Sequence, residues 1–164
     1  MYKCLRCGWT SRARTSRLCT TPDCFEYTVG VDRYTSRLAV LLYKMGYRLS
    51  FTEAYPSWVP TAPDEDREVA PHGWALITAC IEFARCYPEE VFPDIPLGWS
   101  YYTDRDIADA GFCRICYFDL FPHIPSSVKQ VNAEVRAVAR QMERWAQSLY
   151  ESGVYKVFHM GDIL

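Results

Sequence analysis

The chain has no long apolar run, no glycine-rich phosphate loop and only three histidines among its 164 residues. Without about 20 consecutive apolar residues, no segment can span a bilayer as a helix. Without a glycine-rich loop feeding a helix, a nucleotide's phosphates have no ready seat. His72, His123 and His159 stand far apart, and none has a partner at metal-ligand or triad spacing, so no catalytic residue is assigned. Internal repeats and low-complexity tracts are also missing. No apolar stretch follows the first charges of Met1-Tyr2-Lys3-Cys4, so no secretory signal is expected and the cytoplasm is the expected compartment.

What is present is apolar and aromatic. Hydrophobic residues make up 49% and aromatics 15%, enough for a real core and too much for a disordered chain. The net charge of -2 conceals a gradient. Lys3, Arg6, Arg12, Arg14 and Arg17 face a lone Asp23 in residues 1–24, whereas residues 53–109 hold twelve acids, Asp64, Glu65, Asp66 and Glu68 among them. A basic head on an acidic body would present the head to an anionic partner and the acids to a basic one. Equally, both can be solvated faces.

Eight cysteines in a reducing compartment point to thiols and metal rather than disulfides. Cys4-Leu-Arg-Cys7-Gly8 has the form of a zinc knuckle: two thiolates three residues apart turn onto one ion, and Gly8 relieves the backbone after the second ligand. Cys19-Thr-Thr-Pro-Asp-Cys24 supplies the second half, with Pro22 shaping a wider turn. Four thiolates leave zinc no open position, so one structural Zn2+ on Cys4, Cys7, Cys19 and Cys24 is expected. Cys113 and Cys116 fall in a predicted strand, where positions three apart face opposite sides. With Cys80 and Cys86 they read as core thiols.

The chain divides into a zinc ribbon, residues 1–28, and an α+β domain, residues 29–164. In the second part, Asp32 reads as an N-cap before a helix carrying Tyr34, Leu38, Leu41, Leu42 and Met45, stopped by Gly46. A strand is predicted over residues 48–55, then a proline-rich acidic loop over 56–71, a central strand over 74–83, a short strand over 99–102 and another over 112–120. Val128, Val131, Val135, Val138, Met142, Trp145 and Leu149 mark a long helix, with Ser127 and Gln130 as a capping box and Gly153 as its end. The 3-4 stepping fits a coiled-coil seam or a helix laid on a sheet; bulky Trp145 favours the sheet. The expected fold is α+β: a Cys4 ribbon, a helix, a small mainly antiparallel sheet and a long helix.

Val31-Asp32, the helix after it and Tyr43-Lys44-Met45-Gly46-Tyr47 resemble small uncharacterised zinc-ribbon proteins of Firmicutes and their phages. Ala79-Cys80-Ile81-Glu82-Phe83 and Phe92-Pro93-Asp94-Ile95-Pro96-Leu97-Gly98-Trp99 look like that family's following strand and turn, so the likeness spans residues 1–102. The family's Ser-Cys-x-Gly-His motif, similar to one in wybutosine-synthesis methyltransferases, would fall at Thr52-Glu53-Ala54-Tyr55-Pro56, which has neither the cysteine nor the histidine. The resemblance implies a scaffold of mobile-element origin without that reaction.

Three functions stay open. A protein-binding module, of the kind a phage uses to occupy a host defence complex, would use its aromatics and the acids Asp64, Glu65, Asp66 and Glu68 against a basic partner. A nucleic-acid-binding head would stack bases on Trp9 and neutralise phosphates with Arg6, Arg12, Arg14 and Arg17; a pI of about 5.9 counts against it. A nucleotide- or RNA-modifying enzyme would need a site dispersed along the chain.

Overall fold

Residues 74–83 alternate Ala75, Ile77, Ala79, Ile81 and Phe83 with Leu76, Thr78, Cys80 and Glu82, and a strand sorts such a pattern onto two faces. In the computed structural model, which describes residues 1–12, 18–24, 26–59, 74–103, 111–119, 127–153 and 155, this segment is one of the inner strands of a single seven-stranded sheet. The strands are β1 (Tyr2–Cys4), β2 (Thr10–Ser11), β3 (Thr28–Val31), β4 (Leu49–Val59), β5 (Trp74–Phe83), β6 (Trp99–Tyr102) and β7 (Cys113–Phe118), in spatial order β2-β1-β3-β4-β5-β7-β6. The helices are α1 (Ser36–Lys44) and α2 (Val128–Ser152). Strands from the cysteine-rich head extend the same sheet, which is why it is wider than the sequence suggests. Adjacent strands run antiparallel except β3 and β4. That pair is parallel because α1 carries the chain back between them. No helix among the described residues is long and apolar enough to cross a membrane.

The start of α1 lies later than predicted. Tyr34 sits in a turn, and the carboxylate of Asp32 caps that turn rather than the helix proper. Its Oδ1 accepts from Tyr34 N (2.6 Å), Thr35 N (2.9 Å) and the Thr35 hydroxyl (3.1 Å), while Oδ2 accepts from Ala54 N on β4. At the other end Gly46 takes φ +92°. Gly46 N donates to Tyr43 O and Tyr47 N to Leu42 O, the paired bonds of a Schellman stop.

β4 runs on to Val59, through Pro56 and beyond the predicted end. Pairing with β3 covers only Phe51 and Thr52, so Pro56 lies where β4 has a ladder partner on one side, β5. A proline lacks a donor but is tolerated where one edge of the strand is open. A 3-10 turn over Glu89–Val91, absent from the sequence reading, lies in the proline-rich stretch. Buried rings pin this stretch: Tyr47 stacks on Phe92 (5.3 Å) and donates to Val91 O (2.9 Å), and Trp145 Nε1 donates to Pro93 O (2.8 Å).

α2 begins as predicted: Ser127 accepts from Gln130 N (3.3 Å), and Gly153 closes the helix at φ +68°. Its buried face is Val131, Val135, Ala139, Met142, Trp145, Ala146 and Leu149, whereas Val128 is exposed and Val138 only half-buried. A strict seven-residue seam drifts around a straight helix, so the stripe that faces a sheet follows the 3.6 period and picks up the two alanines. α2 therefore lies against β4, β5 and α1. Each large side chain buried there contributes about 1.5–3 kcal/mol.

Candidate metal centre

β1 ends at Cys4, and the chain turns back at once. Cys4 N donates to Trp9 O (2.8 Å) and Gly8 N to Cys4 O (2.9 Å). Gly8 holds φ +81° with open space around the missing Cβ, so backbone conformation rather than crowding calls for glycine here. The second turn is closed by Cys24 N to Thr21 O (3.2 Å). Asp23 takes φ +61°, a conformation aspartate tolerates better than most residues.

These two turns bring Cys4, Cys7, Cys19 and Cys24 together with all four Sγ atoms within 4.8 Å of one another. Cys4 Sγ lies 3.6 Å from Cys24 Sγ, and Cys7 Sγ 3.5 Å from Cys19 Sγ. Thiolates at about 2.3 Å from a tetrahedral zinc are separated by roughly 3.8 Å. The four thiols can therefore hold one metal ion, and their spacing is consistent with zinc. Cys4, Cys19 and Cys24 are buried and Cys7 is exposed.

Burial pushes the Cys4 thiol up to about 12 and raises that of Cys24. Cys7 is lowered to about 6, chiefly by the Thr21 hydroxyl and then by the Trp9 backbone N–H. A bound cation would take the place of the protons that burial retains. Thr21 is the residue that sequence reasoning passed over. Its hydroxyl lies 3.2 Å from Cys19 Sγ and 3.5 Å from Cys7 Sγ, and its N–H donates to Cys19 Sγ (3.4 Å). Such contacts orient metal ligands; the available signal was a hydroxyl residue two places after a ligand.

The proposed nucleic-acid contacts divide. Arg6 is exposed and its guanidinium donates to Cys24 O (3.3 Å), while Arg12 is exposed. Trp9 is half-buried and packs on the cysteine cluster, so part of its ring is already covered. Arg14 and Arg17 lie outside the described residues, as do Asp64, Glu65, Asp66, Glu68 and all three histidines. The head is tied to the body by Lys3 Nζ to Ser36 Oγ (2.9 Å) and Tyr43 Oη to Glu26 Oε2 (3.1 Å).

Of the other cysteines, Cys113 and Cys116 do face opposite sides of β7. Cys113 accepts from Tyr87 N (3.3 Å) on the helix side. Cys116 meets Cys80 across the sheet, a neighbour that spacing along the chain could not reveal. Cys80, Cys113 and Cys116 are buried, but Cys86 is exposed, correcting its reading as a core thiol. It follows the end of β5, where the chain leaves the sheet.

The sheet face away from the helices carries exposed Tyr55, Tyr102 and Phe118. The last two rings meet edge-on at 6.2 Å. Beside them a groove of about 770 Å³ opens over β3 and β4, lined in part by Tyr2, Tyr27, Phe51, Glu53 and Glu82. At Gly30 in its lining, an added Cβ would lie 3.2 Å from Phe51 Cβ, a tight contact that Phe51 would have to ease by a few tenths of an ångström. Burial, then Asp32 and Glu82, raise the Glu53 carboxyl. Glu82 itself is paired with Arg114 (2.6 Å).

No protein-family model matches the chain, and comparison with curated proteins and with solved structures finds no match.

Proposed function

We propose that this chain is a non-enzymatic protein-binding module whose ribbon is held by one structural zinc. Four thiolates complete zinc's tetrahedron and leave no position for water or substrate. The observation that carries the binding reading is the open sheet face, with Tyr55, Tyr102 and Phe118 exposed beside a groove containing Glu53. Exposed aromatics grouped on one face make good interface anchors, and the carboxylates suit a partner with basic side chains. A phage-type protein that occupies a host defence complex is one module of this kind; the family resemblance bears on a mobile-element origin and not on the partner.

The test is affinity capture from the natural host with the wild type and with a Tyr55→Ala/Tyr102→Ala/Phe118→Ala variant, nucleic acid being tracked in parallel. A protein retained by the wild type and lost with the variant supports the reading. Equal retention by both would move the interface elsewhere.

The acids Asp64, Glu65, Asp66 and Glu68 provide a second check. If they steer a basic partner, replacing all four with lysine should slow association far more than it speeds dissociation, and raised salt should mimic the change. Association rates at two salt concentrations measure this. Equal rates for both proteins would leave the acids as a solvated segment.

Nucleic-acid binding through the head is a second reading, favoured by the exposure of Arg6 and Arg12. Replacing Arg12, Arg14 and Arg17 with alanine should then weaken binding and flatten its salt dependence, since each phosphate neutralised adds close to one unit to the slope. Undiminished binding, or none at low salt, would sink this reading.

A further inference from the structure

Cys80 on β5 and Cys116 on β7 are directly opposed in the antiparallel register, with their Sγ atoms 3.0 Å apart. Directly opposed residues in such a pair have Cα atoms about 4.5 or 5.5 Å apart, inside the window of roughly 4.4–6.8 Å that a disulfide spans. The sulfurs stand about 1 Å beyond bonding distance, so bond formation asks for side-chain adjustment and no movement of the strands. We propose that Cys80 and Cys116 are an oxidisable dithiol, a modification site that a hydroperoxide closes to a reversible disulfide.

Three further observations bear on this assignment, which is independent of the binding reading. First, among the described residues the pair gathers no third metal-ligating group, unlike the four head cysteines. Second, it lies on the face opposite α1 and α2, in a row running from half-buried Glu53 through Cys80 and Cys116 to exposed Ser100. Tyr102 and Phe118, which flank the Cys116 row on either side, lean together at 6.2 Å. The two residues are therefore shielded but not enclosed, at 7% and 5% exposed, so the oxidant has to be little larger than water. Third, the two sulfurs are unequal. The hydrogen bond between them lowers the Cys116 thiol and raises that of Cys80; Arg114 lowers Cys116 further, while burial and the Glu53 and Glu82 carboxylates oppose that lowering.

The step balances as follows. Cys116 gives up its proton and, as the thiolate, attacks one peroxide oxygen; the O–O bond breaks, the departing oxygen takes up that proton and leaves as water, and Cys116 becomes a sulfenic acid. The Cys80 sulfur then attacks the Cys116 sulfur, the S–S bond forms, the S–O bond breaks, and the second oxygen leaves as water with the Cys80 proton. Two thiols lose two electrons, and the peroxide is reduced to two waters. An external thiol reverses the product by exchange.

The test treats the purified full-length chain, with its metal as isolated, with hydrogen peroxide. Remaining thiols are then alkylated under denaturing conditions, and the digest is mapped by mass spectrometry. The expected product joins the Cys80 and Cys116 peptides, is lighter by two hydrogens, and disappears with dithiothreitol. In a Cys80→Ser variant, Cys116 should instead be trapped as a sulfenic acid by dimedone. Recovery of Cys80 and Cys116 as separate alkylated peptides while Cys86 is oxidised would overturn the proposal. So would cross-linking of either to a different cysteine.

Discussion

Replacing Cys24 with serine should release the metal and unfold the head, the largest effect expected for any single change in this chain. Metal binding contributes on the order of 10–16 kcal/mol to the folding of zinc-finger peptides. Apart from the pairing of β1 with β3, the head has little core of its own: among its described residues, only Cys4, Leu5, Cys19 and Cys24 are buried. Cys4→Ser should behave alike, because each change removes one corner of the same tetrahedron. Hydrogen exchange reads the result residue by residue. The amides of Cys4, Gly8 and Cys19, bonded to Trp9, Cys4 and Glu26 carbonyls, should lose protection, while those in the middle of α2 keep theirs. Elemental analysis should find one zinc per wild-type chain and none in either variant. Full metal content in both variants would mean that these thiols are not the ligands, and two tightly held ions per wild-type chain would demand a second site.

Asp32→Ala is the second large effect, with about 3 kcal/mol of stability lost. The carboxylate accepts four hydrogen bonds, three from the turn before α1 and one from β4. Losing a cap alone costs about 0.5–2 kcal/mol. Here Thr35 and Ala54 are also buried, and a buried donor left without its acceptor adds about 1–3 kcal/mol. The Thr35 hydroxyl retains Thr52 O (3.0 Å) as an alternative acceptor, which keeps the total near the middle of the combined range. Asp32→Asn should cost less, yet it should not be neutral. If its oxygen serves the turn, its amide nitrogen must face the Ala54 N–H, donor against donor. Urea unfolding at constant m-value measures both changes; a loss below about 0.5 kcal/mol for the alanine variant, the size of an ordinary surface change, would show that the carboxylate does not couple α1 to β4.

What the sequence revealed was local. The Cys4–Cys7 and Cys19–Cys24 spacings are short enough for each turn to be inferred from its own residues, and the alternation in residues 74–83 announces its strand directly. Ser127, Gln130 and Gly153 marked α2 because caps act within one turn. Legibility ended where strands pair. Cys80 and Cys116 are 36 residues apart, and only the β5–β7 register makes them neighbours. Likewise, the groove by Glu53 depends on β3 lying parallel to β4, which no periodicity encodes. Pro56 misled because a proline reads as a break unless one knows that β4 is open on that side. The exposed position of Cys86 was hidden for a similar reason: it stands beside aromatic Tyr87 in sequence, but the chain has already left the sheet.

Much of the cover over the sheet comes from α2, which follows every strand among the described residues. As the polypeptide emerges from the ribosome, β4, β5 and β7 are all available before any residue of that cover exists. Ala75, Ile77, Ala79 and Ile81, each at most 1% exposed once folded, would then lack the cover that α2 gives β5. Transiently exposed apolar surface makes such a species prone to aggregate. A nascent chain stalled just before Ser127 would thus be a sticky half-structure, and release of the last helix would be the event that makes it safe.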